Sequence, residues 1–169
     1  MATGFAGTPV VCAALTTTGQ DAAASALLLE TGCPSWLYAV TMGATTTWER
    51  WDSMLPDGSI NPGGMTSFNH YALGAVAAWL ERDVAGLAPG APGYAEIVVA
   101  PHPVGLTHAE AVHVTPYGPA ASSWSVADGE LTLDVVVPVG ATARVVLGDS
   151  ETVVGHGRHR FTSPAPQLG

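Results

Sequence analysis

Between Glu96 and Thr162 the chain repeats one pattern roughly every ten residues, a short run rich in Val, Leu and Thr closed by Pro, Gly or Asp-Gly. The runs are Glu96–Ala100, Glu110–Val114, Ser122–Val126, Glu130–Val137, Ala141–Leu147, Glu151–Val154 and Gly157–Thr162. In the fourth, Leu131, Leu133, Val135 and Val137 alternate with Thr132, Asp134 and Val136. That period of two gives a strand one apolar face and would scatter apolar residues around a helix. Asp128-Gly129 supplies the residue types that a two-residue hairpin needs. Short strands at even spacing, separated by turn signals, predict an antiparallel β-sandwich over residues 93–169.

The chain before that region has a different character. Gly86 to Gly93, Gly-Leu-Ala-Pro-Gly-Ala-Pro-Gly, reads as a linker, and helix-forming residues dominate ahead of it. Thr8 and Pro9 are placed to cap and open a helix over 10–16, and a second helix over 21–31 ends at Gly32. Trp36, Leu37 and Val40 recur at helical spacing, but Gly43 and the β-branched run Thr45-Thr46-Thr47 predict a break, with Glu49 near it. The strongest helical pattern runs from Ser67 to Ala85, with Leu73, Val76, Leu80 and Val84 on one stripe. Met54 to Met65 is a long irregular loop, and such loops in compact domains usually serve a function. The expected fold class is therefore α+β, with helices over residues 1–88 and the sandwich over 93–169.

Charge excludes some partners. The net charge is −9, with five Arg and no Lys, so no phosphate-tracking surface is available and nucleic acid is not an expected partner. No run approaches the ~18 consecutive apolar residues of a membrane span. No basic segment precedes an apolar one at the N-terminus, which leaves the cytoplasm as the default location. Cys12 and Cys33 lie in apolar surroundings and read as small buried hydrophobes. His102, His108, Glu110 and His113 do not share one strand face, so no metal and no cofactor is expected. His156, Arg158, His159 and Arg160 read as a solvated hairpin end.

Chemistry concentrates between Pro34 and Leu80. That stretch holds four of the five tryptophans, together with His70, around Glu49. Large aromatics beside an acid and a base suit a pocket for a polar ligand with flat apolar faces, and sugars are such ligands. Two readings stand for Glu49: a surface carboxylate paired with Arg50 or Arg82, or the acid–base group of that pocket. His70 is either a helix-start histidine bonded to backbone or a ligand-binding group. Trp36 and Trp79 sit beside apolar helical positions and read as core.

The motifs Pro34-Ser35-Trp36-Leu37-Tyr38, Gly43-Ala44-Thr45-Thr46-Thr47-Trp48-Glu49-Arg50-Trp51-Asp52, Asp57-Gly58-Ser59-Ile60-Asn61-Pro62, Phe68-Asn69-His70-Tyr71-Ala72 and Ala100-Pro101-His102-Pro103 together resemble the C-terminal portion of bacterial α-L-rhamnosidases of glycoside hydrolase family 78. The resemblance implies the last helices of an (α/α)6 barrel followed by a β-sandwich. It implies an inverting hydrolase of terminal α-L-rhamnose, acting on a rhamnose-containing glycoside, with Glu49 as general base. His70 is then the residue that bonds rhamnose hydroxyls, while Trp48 and Trp51 shape an apolar wall. The family's general acid lies upstream of the motifs matched here, so the resemblance implies a truncated piece that is inactive alone. An exposed barrel face built from residues such as Leu28, Val76 and Leu80 would then favour self-association. The alternative is a non-catalytic carbohydrate-binding or structural module.

Overall fold

The computed structural model describes residues 3–166, and the chain divides into two compact units, one up to Ala77 and one from Ala78. In the first, helix α1 (Gly4–Thr17) starts earlier than Pro9 predicts, and Pro9 lies inside it. Pro9 is the sixth residue of this helix and lacks the N–H that would donate to the Phe5 carbonyl, while Thr8 beside it is buried with its hydroxyl 2.8 Å from that of Thr3. Helix α2 (Asp21–Leu29) stops short of the expected Thr31, because Glu30 is extended and its Oε1 accepts the Gly32 N–H at 2.6 Å. Gly32 is therefore the partner of a side chain and not the C-terminal cap. Helix α3 (Trp36–Thr41) opens at Ser35, whose hydroxyl accepts the Tyr38 N–H at 3.0 Å, and ends before Gly43 (φ +84°).

The largest difference from expectation lies between Ser67 and Ala85, where the helix starts only at Ala72 and changes pitch along its length. Three short turns of different pitch occur there: a 3-10 turn at Ala72–Ala75, helix α4 (Val76–Trp79) and a π turn at Leu80–Val84. Residues 67–70 stay out of the helix because other partners take their backbone groups, since the His70 N–H donates to Thr47 O at 2.8 Å and the Asn69 N–H to the Ser67 hydroxyl at 3.2 Å. The change of pitch also reshuffles burial. Leu73, Trp79 and Val84 are buried, while Val76 and Leu80 are only half-buried.

The second unit is built of eight strands. Seven are the expected ones: β2 (Glu96–Val99), β3 (His108–Thr115), β4 (Gly118–Ala127), β5 (Glu130–Val137), β6 (Thr142–Leu147), β7 (Ser150–Val154) and β8 (Gly157–Pro164). The eighth, β1 (Leu87–Pro89), lies in the stretch predicted as linker. Leu87 is fully buried and pairs with Val99, so this stretch belongs to the sandwich. Gly86 makes its entry possible: its φ is +74°, and a Cβ there would lie 2.4 Å from Pro101 N.

One sheet has the order β1-β2-β6-β7 and the other β3-β4-β5-β8. Pairing is antiparallel throughout except between β2 and β6, which run parallel. Leu131, Leu133, Val135 and Val137 of β5 are buried, as the alternation requires, and Ile97, Val99, Ala143 and Val145 are buried from the other sheet. Asp128 (φ +51°) and Gly129 (φ +77°) form the β4–β5 turn, both left-handed as a type I′ turn demands. Two inward side chains of β4 close the π turn: Trp124 Nε1 donates to Val84 O at 2.8 Å and the Ser122 hydroxyl to Ala85 O at 2.6 Å.

Candidate functional site

Glu49 sits in irregular backbone, and its position is set by pairing with a distant segment of the same unit. The Glu49 N–H donates to Ser67 O at 2.9 Å, and the His70 N–H to Thr47 O. The Glu49 carboxylate in turn accepts the Ser67 N–H at 3.1 Å, and the Thr46 hydroxyl donates to Phe68 O. These bonds explain why the segment before His70 is not helical: its backbone groups serve the Glu49 segment. They also pair the segment that carries Glu49 with the segment that carries His70, although 20 residues lie between the two side chains in sequence.

Arg50 is not the partner of Glu49. Its Nε and NH2 donate to the two oxygens of Asp52 at 2.6 and 3.1 Å, and its NH1 donates to Gly64 O at 3.2 Å. Asp52 accepts a further bond from Asn61 Nδ2 at 2.9 Å. The Arg50 guanidinium beside it holds the Asp52 carboxyl below the usual carboxylate range, while Asp52 pushes Arg50 up. The reading of Glu49 as the carboxylate of an ion pair with Arg50 is thus corrected, because the bidentate bond to Asp52 occupies the guanidinium.

A cleft of about 420 Å³ opens at Glu49, with Phe5, Trp51, Met65 and Leu73 as its apolar lining. The His70 ring stacks on Phe5 and on Tyr71, with centroids 4.9 and 5.0 Å apart. Its Nδ1 accepts the Ala72 N–H at 3.3 Å, which leaves Nε2 as the donor end of a neutral ring. The reading of His70 as a histidine bonded to backbone is thus met at Nδ1.

The tryptophans divide differently from the expectation. Trp48 is buried at 4% exposure, edge-on to Tyr38 and Phe68, and lies outside the lining of the Glu49 cleft, although it lines the neighbouring cavity with Trp36 and Trp51. Trp51 is half-buried and lines the cleft. Trp79 is core, but Trp36 is half-buried; it meets Trp51 edge-on at 5.5 Å, donates through Nε1 to Leu73 O at 2.9 Å and lines a second cavity of about 310 Å³ beyond Arg50 and Trp51. Phe5, Met65 and Leu73 escaped sequence reasoning. Phe5 lies in a stretch that reads as loop, and Met65 at the end of a Gly-rich run gives no periodic signal.

Elsewhere, His113 Nδ1 lies 3.0 Å from Glu81 and its ring stacks on Tyr94 at 4.4 Å, so it is engaged within the second unit. Cys12 is buried as expected, whereas Cys33 is exposed, which corrects its reading as a buried hydrophobe, and neither forms a disulfide among the described residues. No described helix is long and apolar enough to cross a membrane.

Comparison with known proteins accounts for nearly the whole chain. Residues 1–84 match the model of the bacterial alpha-L-rhamnosidase 6 hairpin glycosidase domain, and residues 86–162 that of the bacterial alpha-L-rhamnosidase C-terminal domain. An α-L-rhamnosidase of Streptomyces avermitilis is 39% identical over 96% of the chain, and one of Formosa agariphila is 44% identical over 85%. The chain spans only 18% and 16% of the length of those two relatives. Among solved structures, the Aspergillus terreus α-L-rhamnosidase superposes with a TM-score of 0.91 at 46% identity, covering 94% of this chain and 19% of that one. The Streptomyces avermitilis enzyme in complex with L-rhamnose superposes with a TM-score of 0.86 at 39% identity, covering 95% of this chain and 18% of that one.

Proposed function

Because this chain belongs to the bacterial α-L-rhamnosidase family, we propose that its Glu49 cleft is one side of the active site of an inverting α-L-rhamnosidase. Glu49 is the general base. A water held against its carboxylate gives up a proton to it and attacks the anomeric carbon, while the glycosidic C–O bond breaks on the opposite face and the departing oxygen takes a proton from a general acid. Inversion needs room for that water, with acid and base roughly 6.5–9.5 Å apart. None of this chain's motifs is matched to the acid, which in this proposal comes from barrel residues outside it.

The observation that carries the reading is the state of Glu49. It opens on an apolar-lined cleft, it is held by one backbone N–H, and its arginine neighbour is bound elsewhere. A carboxylate so held keeps lone pairs for a water. His70, with Nε2 as its donor end, bonds the sugar hydroxyls, and Trp51 with Phe5 supplies an apolar face for the ring. Trp48 has the supporting role of packing beneath Trp-Glu-Arg-Trp. The same proposal takes a rhamnose-containing glycoside as substrate and moves the start of the second domain from residue 93 to before Leu87, since β1 pairs with β2. Self-association of the chain through exposed apolar side chains of the helical unit, such as Val10, Leu29 and Val40, completes it.

The test is a comparison of the chain alone with a hybrid in which it replaces the matching segment of the Streptomyces avermitilis relative. The chain alone shows no useful hydrolysis of an aryl α-L-rhamnoside, since loss of acid catalysis alone is worth on the order of 10²–10⁴-fold. The hybrid is active, and Glu49→Ala in it abolishes turnover. Robust hydrolysis by the 169-residue chain by itself, or full activity of the Glu49→Ala hybrid, would overturn the proposal.

A further inference from the structure

We propose that Asp52 is a positioning residue for the Glu49 cleft: it takes the Arg50 guanidinium, turns it onto the Gly64 carbonyl and so keeps it off the neighbouring Glu49 carboxylate. The inference rests on the reading of Glu49 as a general base. Glu49, Arg50, Asp52 and Gly64 all line one cleft, so an arginine there has two carboxylates within its neighbourhood. Which one it takes decides what Glu49 can do. A carboxylate paired with a guanidinium is stabilised in its charged form and is a weaker base towards a bound water.

The geometry shows the choice made and reinforced. Both oxygens of Asp52 receive Arg50, at 2.6 and 3.1 Å, in the planar fork that a guanidinium matches best. Asn61 donates to Asp52 at 2.9 Å, and its own Oδ1 accepts the Gly63 N–H at 2.9 Å. The Arg50 NH1 bond to Gly64 O closes the ring of contacts. Gly63 is needed for it: a Cβ at that position would lie 2.9 Å from Arg50 NH1 and 3.1 Å from Asn61 Oδ1. The depressed Asp52 and raised Arg50 ionisations keep the pair charged at any neutral pH.

The same network fixes a wall of the cleft. Met65, which lines it, has φ +59°, a left-handed conformation that a non-glycine side chain adopts only where its surroundings impose it. The bond from Arg50 to the carbonyl of the preceding residue is such an imposition. Asp52 thus acts twice, on the charge beside Glu49 and on the backbone that carries Met65.

Two measurements separate this role from simple support. In the active hybrid, Asp52→Asn lowers kcat/KM by about ten- to a hundredfold, and adding Arg50→Gln recovers at least about fivefold, because the released guanidinium is removed. A pair that only braced the fold gives a double variant no better than Asp52→Asn, and that result overturns the inference. In the 169-residue chain itself, Asp52→Asn shifts the Arg50 Nε–H resonance and speeds amide exchange at Gly64 and Met65 about tenfold or more relative to β5. An unmoved Arg50 signal with unchanged exchange overturns it equally, whether or not the hybrid variants fold. If Glu49→Ala stays active, the base reading has failed; if Glu49→Ala is inactive and second-site recovery is absent, only the role of Asp52 has failed.

Discussion

The sandwich unit closes its core with two facing rows of aliphatic side chains, whereas the helical unit buries far fewer apolar residues. Both leave some in water, Val114 (81%) and Val139 (74%) among those of the sandwich. Leu131, Leu133, Val135, Ile97, Val99, Val145 and Trp124 are each 2% exposed or less. In the helical unit Val10 and Val40 are 60% exposed, Met65 62% and Tyr71 87%. The first unit spends its backbone groups differently too, on local turns and on the pairing of residues 47–49 with 67–70. A unit of strands satisfies its own ladder, while the irregular unit presents side chains and carbonyls to a cleft. The larger buried core thus lies in the sandwich, and the cleft at Glu49 lies in the unit with the smaller one.

That contrast can be broken most forcefully at two positions of the sandwich. Gly86→Ala combines a left-handed φ with a backbone clash and is expected to cost on the order of 3 kcal/mol or more, against about 1 kcal/mol for Gly58→Ala, whose left-handed site is open. Leu133→Ala is expected to cost about 2–5 kcal/mol, whereas Val40→Ala in the helical unit stays within about 0.5 kcal/mol. Chemical denaturation of the four variants checks both pairs. Equal losses at Leu133 and Val40 would contradict the difference between the units.

Trp124→Phe keeps the ring packing and removes the donor to Val84 O, so it is expected to cost about 1–3 kcal/mol, the penalty of a buried carbonyl left unpaired. Limited proteolysis sharpens the picture further. The Met54–Met65 loop is cut first and the Gly86–Gly93 stretch resists, since Leu87 is a buried strand residue. Early cleavage at Gly86–Gly93 would show that β1 does not hold.

These outcomes follow from what was and was not legible in the sequence. Seven strands and the Asp128-Gly129 turn could be read directly, because alternation and turn chemistry are local signals. β1 could not, since its three residues sit in Pro/Gly company and are strand only through their pairing with β2. The helix expected from Ser67 starts late, at Ala72, for the converse reason: its apolar spacing is genuine, but Thr47, Glu49 and Ser67 take up the backbone groups ahead of it through bonds that no local pattern reveals. The motifs single out Glu49 and Trp51, which line the same cleft, and His70, which stacks on Phe5 of that lining. The commitment of Arg50 to Asp52, the burial of Trp48 and the place of Phe5 in the lining needed coordinates.

The smallest effect expected is on acid stability. The Asp52 ionisation is depressed on folding, first by the Arg50 bond, so its contribution is fully present above the ordinary carboxylate range and lost as pH falls through the lower folded value. Amide exchange at Gly63–Met65 should therefore rise below about pH 4 before β5 is affected, and Asp52→Asn should remove that pH dependence.

The central claim, that Glu49 is the base of an inverting hydrolase, is tested most directly by azide rescue of the Glu49→Ala hybrid. Azide needs no deprotonation, so it attacks the anomeric carbon from the face where water would stand while the upstream acid still protonates the leaving oxygen. The account predicts partial recovery of aglycone release with formation of β-L-rhamnosyl azide. Recovery yielding the α-azide, or a hybrid that turns over water at the unsubstituted rate without Glu49, would contradict it.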